Sequence, residues 1–592
     1  MGVGSHVIAA LLLALFAAIC VGSMPSASPT LDEPLHFTRG AAWWWTGDTR
    51  LSWAHPPLAN VLAALPSRSH PIVDLRAIEP EWDHADNGAL ASAIMKADYG
   101  EFRRDLFRGR LVMIALAVLF GVYLHVFCAR RWGARTAFVA LLLYAIHPTV
   151  IAHARLVTTD MPVAALSFVT LGELVRYLES RGKLWPLATM ALALAAALCT
   201  KYSAAFLIPV LGVAGFAFAL RGRGRFAAQG FARRMGTFAA HAVFTTLVCV
   251  TAVNAAYRFE RTGMTVAQIL AERPPESELT PEYGDTLLRA VTPLDRLPQG
   301  LRVPLPYTYV FGVSTMSTFN ESGRSSYFFG FLTSGTPAYF PVLLVLKQPL
   351  VMVLLLALGV AAFFRHRASA SRVTRLLAYA AAFFVLLAIR SRLNIGVRHV
   401  LPAIVILVVL AARAWQRLRR ARATNPEPFL AARGLAVLSL GGTLAAYPHY
   451  IGYFNLLAGP EALANQISTV GEDWSQDVGD AARIVRAKHL EPLYYNRYGR
   501  PGYFELRYFG VEPHEAKCDR RPRTPGWVML HVSAARRLPS CFHWLGLPGR
   551  APDISVREHI WLFRYGGRRG RPAAPDPEPE DDGAANDVAP PR

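Results

Sequence analysis

Charged residues are scarce in this chain of 592 residues, because Asp, Glu, Lys and Arg together make up only 17% of it. Hydrophobic residues make up 53%, and the mean hydropathy is +0.27. A soluble protein of this length needs more polar side chains to cover its surface. The composition therefore excludes an ordinary soluble multidomain protein and predicts a chain that crosses a membrane several times.

Cysteine is also scarce, with six residues in the whole chain. No CxxC pair or His/Cys cluster has the spacing of a zinc site. Cys518 and Cys541 both fall in the polar C-terminal part, where an oxidising compartment permits a disulfide bond, and we predict that bond. The other four lie in apolar runs, which is typical of packing residues: Cys20, Cys128, Cys199 and Cys249.

Acidic residues are outnumbered by basic ones, 41 against 62, which gives a formal net charge of +21. No DNA- or RNA-binding module is recognisable, and the basic clusters lie in short loops between apolar runs. With a cytoplasmic N-terminus, the cytoplasmic loops are "ARRWGAR", "ESRGK", "RGRGRFAAQGFARR", "RHRASASRVTR" and "RAWQRLRRARAT". This is the pattern of the positive-inside rule. The charge therefore indicates membrane topology and contact with anionic lipid, and it argues against nucleic-acid binding.

Long apolar runs are what the sequence does have, and many reach the roughly 17 to 25 residues that a membrane-crossing helix needs. They predict a polytopic α-helical membrane protein with about eleven transmembrane helices. A cleaved signal peptide is the alternative for the first run, because "VGSMPSASP" follows it. The predicted spans are residues 6–23, 110–128, 136–153, 161–178, 184–200, 203–220, 236–256, 338–364, 375–390, 399–414 and 429–447.

Three longer segments fall on the non-cytoplasmic side: residues 24–109, residues 257–337 and the part after residue 448. The first holds Trp43, Trp44, Trp45 and Trp53, which predict an interfacial helix that serves either as an anchor or in substrate binding. In the third, "DWSQDVGDAARIVRAKHL" predicts an amphipathic helix, and "PLYYNRY", "GWVMLHVS" and "HIWLFRY" predict short strands. We therefore predict a transmembrane domain (1–447), a small periplasmic α/β domain (448–567) and a disordered acidic, Pro-rich tail (568–592).

Ionisable residues collect at the outer ends of the predicted spans, where a charge avoids the cost of mid-membrane burial. The candidate catalytic residues are Asp32, Glu33 and Asp160. The candidate substrate-binding residues are His55, Arg155, Lys201, Lys347, Arg398 and His399. Each cation taken alone is as consistent with an anchoring role, in which its side chain extends to a lipid headgroup, as with substrate binding. A carboxylate, by contrast, gains nothing from anionic lipid. Pro349 follows Lys347 closely, so the span there should begin near Lys347, with "YFPVLLVL" along the interface.

Carboxylates and cations at one interface suit the transfer of a group away from a lipid phosphate. A general base must reach the proton of the acceptor hydroxyl, and cations must neutralise the charge that grows on the leaving phosphate. Paired carboxylates also bind divalent cations through oxygen ligands, so a divalent metal cofactor stays open at this point.

The motifs resemble a known family. The acidic pair of "LDEPLHF" with "HPPL", "ARLVTTDMPVAAL" and "TKYS" resembles the C superfamily of integral-membrane glycosyltransferases, and in particular family 39. The strings "YFPVLLVLKQPL", "GVRHVLP" and "YPHYIGYFN" followed by "EDWSQD" are similar to its phospholipid-carrier-dependent bacterial branch. The resemblance covers most of residues 7–480. Members of that family that attach mannose to proteins carry an outer β-trefoil domain, for which this chain has no suitable stretch.

The resemblance implies an inverting glycosyltransferase of the bacterial inner membrane, with a periplasmic active site and a polyprenyl-phosphate-linked sugar as donor. It implies a lipid, glycan or protein acceptor, Asp32 as the catalytic base, Glu33 as a neighbour that orients the acceptor, and Asp160 as the second acidic position. A transporter or flippase is the alternative, although no internal repeat is detectable and the charges cluster at one face. A scaffold with a decayed active site is a third possibility.

Overall fold

The computed structural model describes residues 3–180, 182–227, 229–272, 294–323, 326–365, 370–459, 467–468, 473–496, 506–518, 520–547, 549–557 and 559–566. The predicted disordered tail at 568–592 lies outside the described residues.

Helices make up most of the described chain, and many of them are apolar. In chain order they are α1 (Val3–Gly22), α2 (Glu33–Trp45), α3 (Leu58–Ala63), α4 (Asn87–Ala97), α5 (Tyr99–Trp132), α6 (Ala134–Ala145), α7 (Pro148–Ala154), α8 (Asp160–Glu179), α9 (Trp185–Leu198), α10 (Leu207–Leu220), α11 (Phe231–Ala256), α12 (Val266–Ala271), α13 (Tyr307–Ser322), α14 (Tyr339–Leu346), α15 (Leu350–Arg365), α16 (Arg372–Arg390), α17 (Leu401–Ala421), α18 (Glu427–Ala445), α19 (Val478–Ala487) and α20 (Val532–Arg537).

Eight helices in the described residues are long and apolar enough to cross a bilayer, and the number rises to ten if each of two bent pairs is one span. The remaining predicted span, residues 184–200, corresponds to α9, whose 14 residues reach only about 21 Å as a helix. The protein is therefore a multi-pass membrane protein, and the predicted helical fold class is confirmed.

The two bent pairs break where the sequence places a proline. Helices α6 and α7 meet at 66°, with Pro148 in the first turn of α7, and α14 and α15 meet at 119° across Lys347–Pro349. A proline is tolerated in the first turn of a helix but not in its interior. A helix therefore begins just after Lys347, whereas the start of the membrane span at this point stays a prediction.

The most buried of the spanning helices are α8 and α17, which pack against each other in the middle of the bundle. Asp160 is the first residue of α8, and Arg398 lies three residues before α17. The bundle thus brings these two charged side chains to the same end of its core.

Of the four tryptophans that predicted a helix in the segment 24–109, Trp43, Trp44 and Trp45 lie at the C-terminal end of α2, whereas Trp53 ends a 3-10 turn (Arg50–Trp53). The indole nitrogens of Trp43, Trp44 and Trp45 donate to the carbonyl oxygens of Ala256, Val61 and Ser67, at 3.0, 2.9 and 2.9 Å. A half-buried indole usually satisfies its N–H in this way. These three rings therefore fasten α2 to its neighbours in the protein.

The C-terminal part contains a five-stranded sheet in the order β4-β3-β5-β7-β6, next to the amphipathic helix α19. Strand β3 runs parallel to β4 and β5, whereas β7 is antiparallel to β5 and β6. The predicted small α/β unit is therefore confirmed. The strands are β3 (Leu493–Asn496), β4 (His514–Glu515), β5 (Gly526–His531), β6 (Ile554–Val556) and β7 (Ile560–Tyr565), and a separate hairpin pairs β1 (Ser326–Phe328) with β2 (Phe331–Thr333).

Cys518 and Cys541 form a disulfide bond across 23 residues, as the sequence predicted. The bond closes a loop at one end of the sheet, and Cys541 is buried against Phe542 and Trp544. A loop of this length loses about 3 kcal/mol of stability when its cross-link is removed.

We expect the Cys518→Ala/Cys541→Ala double variant to unfold at a lower temperature in the C-terminal part, with the membrane part unchanged. Limited proteolysis during a thermal ramp measures both. Equal protease resistance of the two proteins would contradict a stabilising bond.

Candidate active site

Four charged side chains form a continuous chain of ion pairs at the N-terminal ends of α8 and α17. A guanidinium nitrogen (Nη1) of Arg398 lies 2.5 Å from Oδ2 of Asp32 and 3.9 Å from Oδ2 of Asp160. Nζ of Lys201 donates to Oδ1 of Asp160 at 2.5 Å. The four side chains are 25%, 12%, 3% and 14% exposed in the order Asp32, Arg398, Asp160 and Lys201. Asp32 is therefore the more accessible of the two carboxylates.

Each of these four residues stands at the beginning of a helical segment. Asp32 is the N-cap of α2, Asp160 begins α8, Lys201 precedes a 3-10 turn, and Arg398 lies in the 3-10 turn before α17. Helix N-termini carry a partial positive charge that stabilises nearby anions. The site therefore favours carboxylates and phosphates beyond the charge of its two cations.

The pKa of Asp32 is lower than usual even though burial raises it. The positive charge of Arg398 has the largest opposing effect, and His36 lowers the pKa further. Asp32 is therefore ionised at neutral pH, as a proton acceptor must be.

His36 is a site residue that the sequence analysis missed. Its Nδ1 lies 2.8 Å from the side-chain oxygen of Asn60, and its ring lies 5.0 Å from that of His55. Burial lowers the pKa of His36 to about 4, and burial also lowers the pKa of His55 well below its usual value. The predicted site residue His55 therefore joins the cluster as a neutral imidazole. The signal was available, because residues 32 and 36 lie on the same face of a helix.

Glu33 does not lie where its predicted role requires. Its carboxylate is fully buried and accepts hydrogen bonds from Nε and Nη2 of Arg110 at 2.8 and 2.6 Å. It also accepts from the backbone N–H groups of Thr30 and Val157, at 2.9 and 3.0 Å. With its oxygens so occupied, Glu33 cannot orient an acceptor directly, and that expectation is corrected. Glu33 instead joins three parts of the chain around Asp32.

Two of the predicted substrate-binding residues are also buried inside the protein. Arg155 is 2% exposed and donates to the carbonyl oxygen of Ser23. Lys347 is 2% exposed, donates to the carbonyl oxygen of Ile451 at 3.1 Å and lies over the ring of Phe454. Both side chains are thus held by backbone carbonyl oxygens inside the protein. This arrangement does not favour the predicted contact of either one with substrate, which stays a prediction.

His399 is half-buried next to Arg398, and its ring stacks on Phe340 at 6.5 Å. It interacts electrostatically with Asp160. Of the six predicted binding residues, His55, Lys201, Arg398 and His399 therefore lie around the two acidic positions.

The acidic pair does not form a shared metal site. Asp32 pairs with Arg398, whereas Glu33 pairs with Arg110. In the described part of the chain, one group has atoms close enough to hold a metal ion: His449, Asp477 and Asp480. The charge of that group is already compensated, because His559 bonds Asp477 at 2.6 Å and Arg483 lies 2.8 Å from Asp480.

Comparison with known proteins gives one family match and several structural similarities. Residues 91–252 match the sequence model of the family described as dolichyl-phosphate-mannose-protein mannosyltransferase. This segment includes Asp160 and Lys201, whereas Asp32 lies before it and Arg398 lies after it. No curated protein sequence matches the chain significantly.

Among solved structures, the chain is similar to ArnT from Cupriavidus metallidurans bound to undecaprenyl phosphate, with 14% identity, a TM-score of 0.46, and coverage of 93% of this chain and 97% of that chain. The apo state of the same protein gives 12% identity and a TM-score of 0.44 with the same coverage. AglB from Archaeoglobus fulgidus, in complex with an inhibitory peptide and a dolichol-phosphate, gives 14% identity, a TM-score of 0.39, and coverage of 90% and 72%. At these identities and scores the likeness assigns neither a function nor a site residue.

The family match lies in the segment that carries half of the ion-pair chain, in a protein with the predicted membrane-spanning helices. It confirms the predicted resemblance to this family of membrane glycosyltransferases.

Proposed function

We propose that this protein is an inverting glycosyltransferase of the bacterial inner membrane that moves a sugar from a polyprenyl phosphate to an acceptor hydroxyl at the periplasmic face. The observation that carries the proposal is the chain of ion pairs from Asp32 through Arg398 and Asp160 to Lys201. It combines an ionised, partly exposed carboxylate with two cations at the ends of membrane-spanning helices. We also propose residues 1–447 as the transferase domain and residues 448–567 as a periplasmic domain.

In the proposed reaction, the acceptor oxygen attacks the anomeric carbon from the face opposite the phosphate. The bond from this carbon to the phosphate oxygen breaks, and its electron pair stays on the lipid phosphate. The hydroxyl proton passes to Asp32, whose carboxylate then releases it to solvent. The products are the glycoside with inverted configuration and a free polyprenyl phosphate.

The two cations serve the leaving group. Arg398 and Lys201 are each paired with a carboxylate, so the four side chains together carry no net charge. An incoming phosphate must therefore share these cations with Asp32 and Asp160, helped by the helix N-termini. Charge that grows on the phosphate as its bond breaks strengthens this contact, which favours the transition state over the bound donor.

The lipid chain of the donor has a suitable apolar groove close to α14. The groove has a volume of about 620 Å³ and is lined almost entirely by carbon. A flexible polyprenyl chain gains free energy from burial against such a surface. The lining residues are Phe329, Pro341, Val342, Val345, Leu346, Leu457, Ala458 and Ile467.

The experiment that tests the proposal uses the purified protein in detergent, where no transmembrane gradient exists. We expect it to consume a polyprenyl-phosphate-linked sugar and release polyprenyl phosphate, measured by chromatography of the extracted lipid, when extracts supply the acceptor. Donors with different sugars identify the one that is used.

A transporter or flippase predicts the opposite result, because it moves its substrate without cleaving it. Lipid-linked sugar that is moved across a vesicle membrane and stays intact in detergent would overturn the proposed transfer. A scaffold with a decayed site would give neither result.

A further inference from the structure

The C-terminal part of the chain reaches into the candidate active site through residues 473–477. The backbone N–H of Ser28 donates to the carbonyl oxygen of Gln476 at 2.8 Å, and that of Leu31 donates to the carbonyl oxygen of Trp474 at 3.0 Å. The N–H of Gly479 donates to the Ser28 hydroxyl at 2.8 Å. This segment therefore supports the loop that leads directly into Asp32.

Trp474 is the residue of this segment that faces the ion-pair chain. Its side chain is almost fully buried, and the guanidinium carbon of Arg398 lies 3.9 Å from the centre of its ring. The ring of His153 packs against it edge-on at 6.0 Å. An arginine at this distance is held over the aromatic face by the ring quadrupole. One face of the Arg398 guanidinium is thereby fixed, while in its own plane Nε donates to the carbonyl oxygen of Ile395 at 3.1 Å and Nη1 donates to Asp32 at 2.5 Å.

The segment itself is held firmly by the C-terminal sheet. The carboxylate of Asp473 accepts from the Ser533 hydroxyl at 2.6 Å and lies 3.0 Å from Nδ1 of His531, at the end of β5. Asp477 lies 2.6 Å from Nδ1 of His559, just before β7.

Between these two anchors, Ser475 adopts a left-handed backbone conformation with φ of 66°. That conformation is uncommon for a residue other than glycine and persists where the surroundings enforce it. The position of Trp474 is therefore imposed by contacts on both sides.

We propose that Trp474 is a positioning residue of the transferase: it holds Arg398 in the plane from which the guanidinium binds Asp32 and the donor phosphate at the same time. The proposal rests on the proposed function, since it assigns the phosphate to Arg398. Without the ring, the guanidinium keeps its contacts with Asp32 and with the carbonyl oxygen of Ile395 but loses the surface that fixes its plane. Part of the phosphate-binding free energy then goes into ordering it. The C-terminal domain thus completes the donor site.

The test compares substitutions that keep or remove the aromatic face. We expect Trp474→Leu to raise the KM for the donor about tenfold, and Trp474→Phe to raise it only about threefold, because Phe retains a weaker aromatic face. The KM for the acceptor should stay unchanged in both. If the ring of Trp474 only fills space, its replacement would lower the amount of folded enzyme, and the donor KM would not depend on whether the new side chain is aromatic.

Trp544 provides a matched control. It is equally part of the C-terminal domain, is buried against Tyr565 at 5.4 Å and lies in the hydrophobic cluster around β5. Trp544→Leu should lower the thermal stability of the domain and leave the donor KM as it is. An equal rise in donor KM for Trp544→Leu and Trp474→Leu would overturn the proposal.

A binding measurement separates this inference from the proposed function. Geranylgeranyl phosphate in detergent, titrated against each protein, reports phosphate binding without turnover. One outcome is that the wild type shows no transfer, while the Kd for this lipid is about tenfold higher in Trp474→Leu than in wild type and is unchanged in Trp544→Leu. That outcome would refute the transfer reaction and keep the positioning role. An active wild type with the same Kd in all three proteins would refute the positioning role alone.

Discussion

Asp32→Asn is expected to lower kcat for sugar transfer by about 10² to 10⁴-fold, which is the usual contribution of a positioned general base. The amide has nearly the shape of the carboxylate, so packing around α2 should survive, but it cannot take the proton of the acceptor hydroxyl. Donor binding should be preserved or improved, because Arg398 loses its partner at 2.5 Å and becomes available to the phosphate. The measurement is a kinetic comparison in detergent, together with donor titration.

Asp48→Asn is the matched control, since Asp48 lies in the same outer segment and pairs with Arg50 at 2.8 Å. Its ion pair is partly exposed and should contribute little to stability. Wild-type transfer by Asp32→Asn in folded protein would remove Asp32 from the role of base.

The pH dependence gives a second reading of the same assignment. Burial raises the pKa of Asp32, but Arg398 and His36 together outweigh burial and lower it, so the folded enzyme keeps the carboxylate ionised below the usual range for aspartate. The acidic limb of kcat/KM should therefore lie at unusually low pH. Arg398→Gln removes the largest lowering influence, so the limb should move to higher pH, in addition to weaker donor binding. A limb that does not move would mean that another group is titrating.

The sequence predicted the convergence of Asp32, Asp160, Lys201 and Arg398, because topology alone places the ends of alternate spans on one side of a membrane. Which side chains then face the site depends on rotation about each helix, which topology does not determine. Successive residues of a helix point about 100° apart, so the adjacent carboxylates of Asp32 and Glu33 could hardly face the same substrate. That geometry was available from the sequence, whereas the partner of Glu33, 77 residues away, was not.

Arg155 and Lys347 show the same limit for cations. A lone arginine or lysine at a span end gives the same sequence pattern whether its side chain extends to a lipid headgroup or donates to a buried carbonyl oxygen. Only the folded structure distinguishes the two arrangements. The contact between Trp474 and Arg398 joins residues that are distant in the sequence. No local pattern in "EDWSQD" predicts this contact, although the motif contributes to the resemblance to the glycosyltransferase family.

The second large effect is expected for Glu33→Gln, through stability. Glu33 and Arg110 are 0% and 6% exposed, and the carboxylate also binds the backbone of Thr30 and Val157. Removal of one partner leaves an uncompensated buried charge, which costs about 3 to 5 kcal/mol. We expect a large drop in thermal unfolding temperature in detergent, with activity falling in proportion to the folded fraction.

Glu101→Gln supplies the control, because Glu101 forms an exposed pair with Arg104 and should cost less than about 1 kcal/mol. Replacing both partners, as in Glu33→Gln/Arg110→Met, removes the buried charge and should recover part of the lost stability. The direct acceptor contact that was first inferred from the sequence predicts a different result. In that case the Glu33→Gln protein would have normal stability, and only its KM for the acceptor would be raised. Since a fully buried carboxylate can meet an acceptor only if α2 moves, that outcome would imply that the outer segment rearranges during turnover.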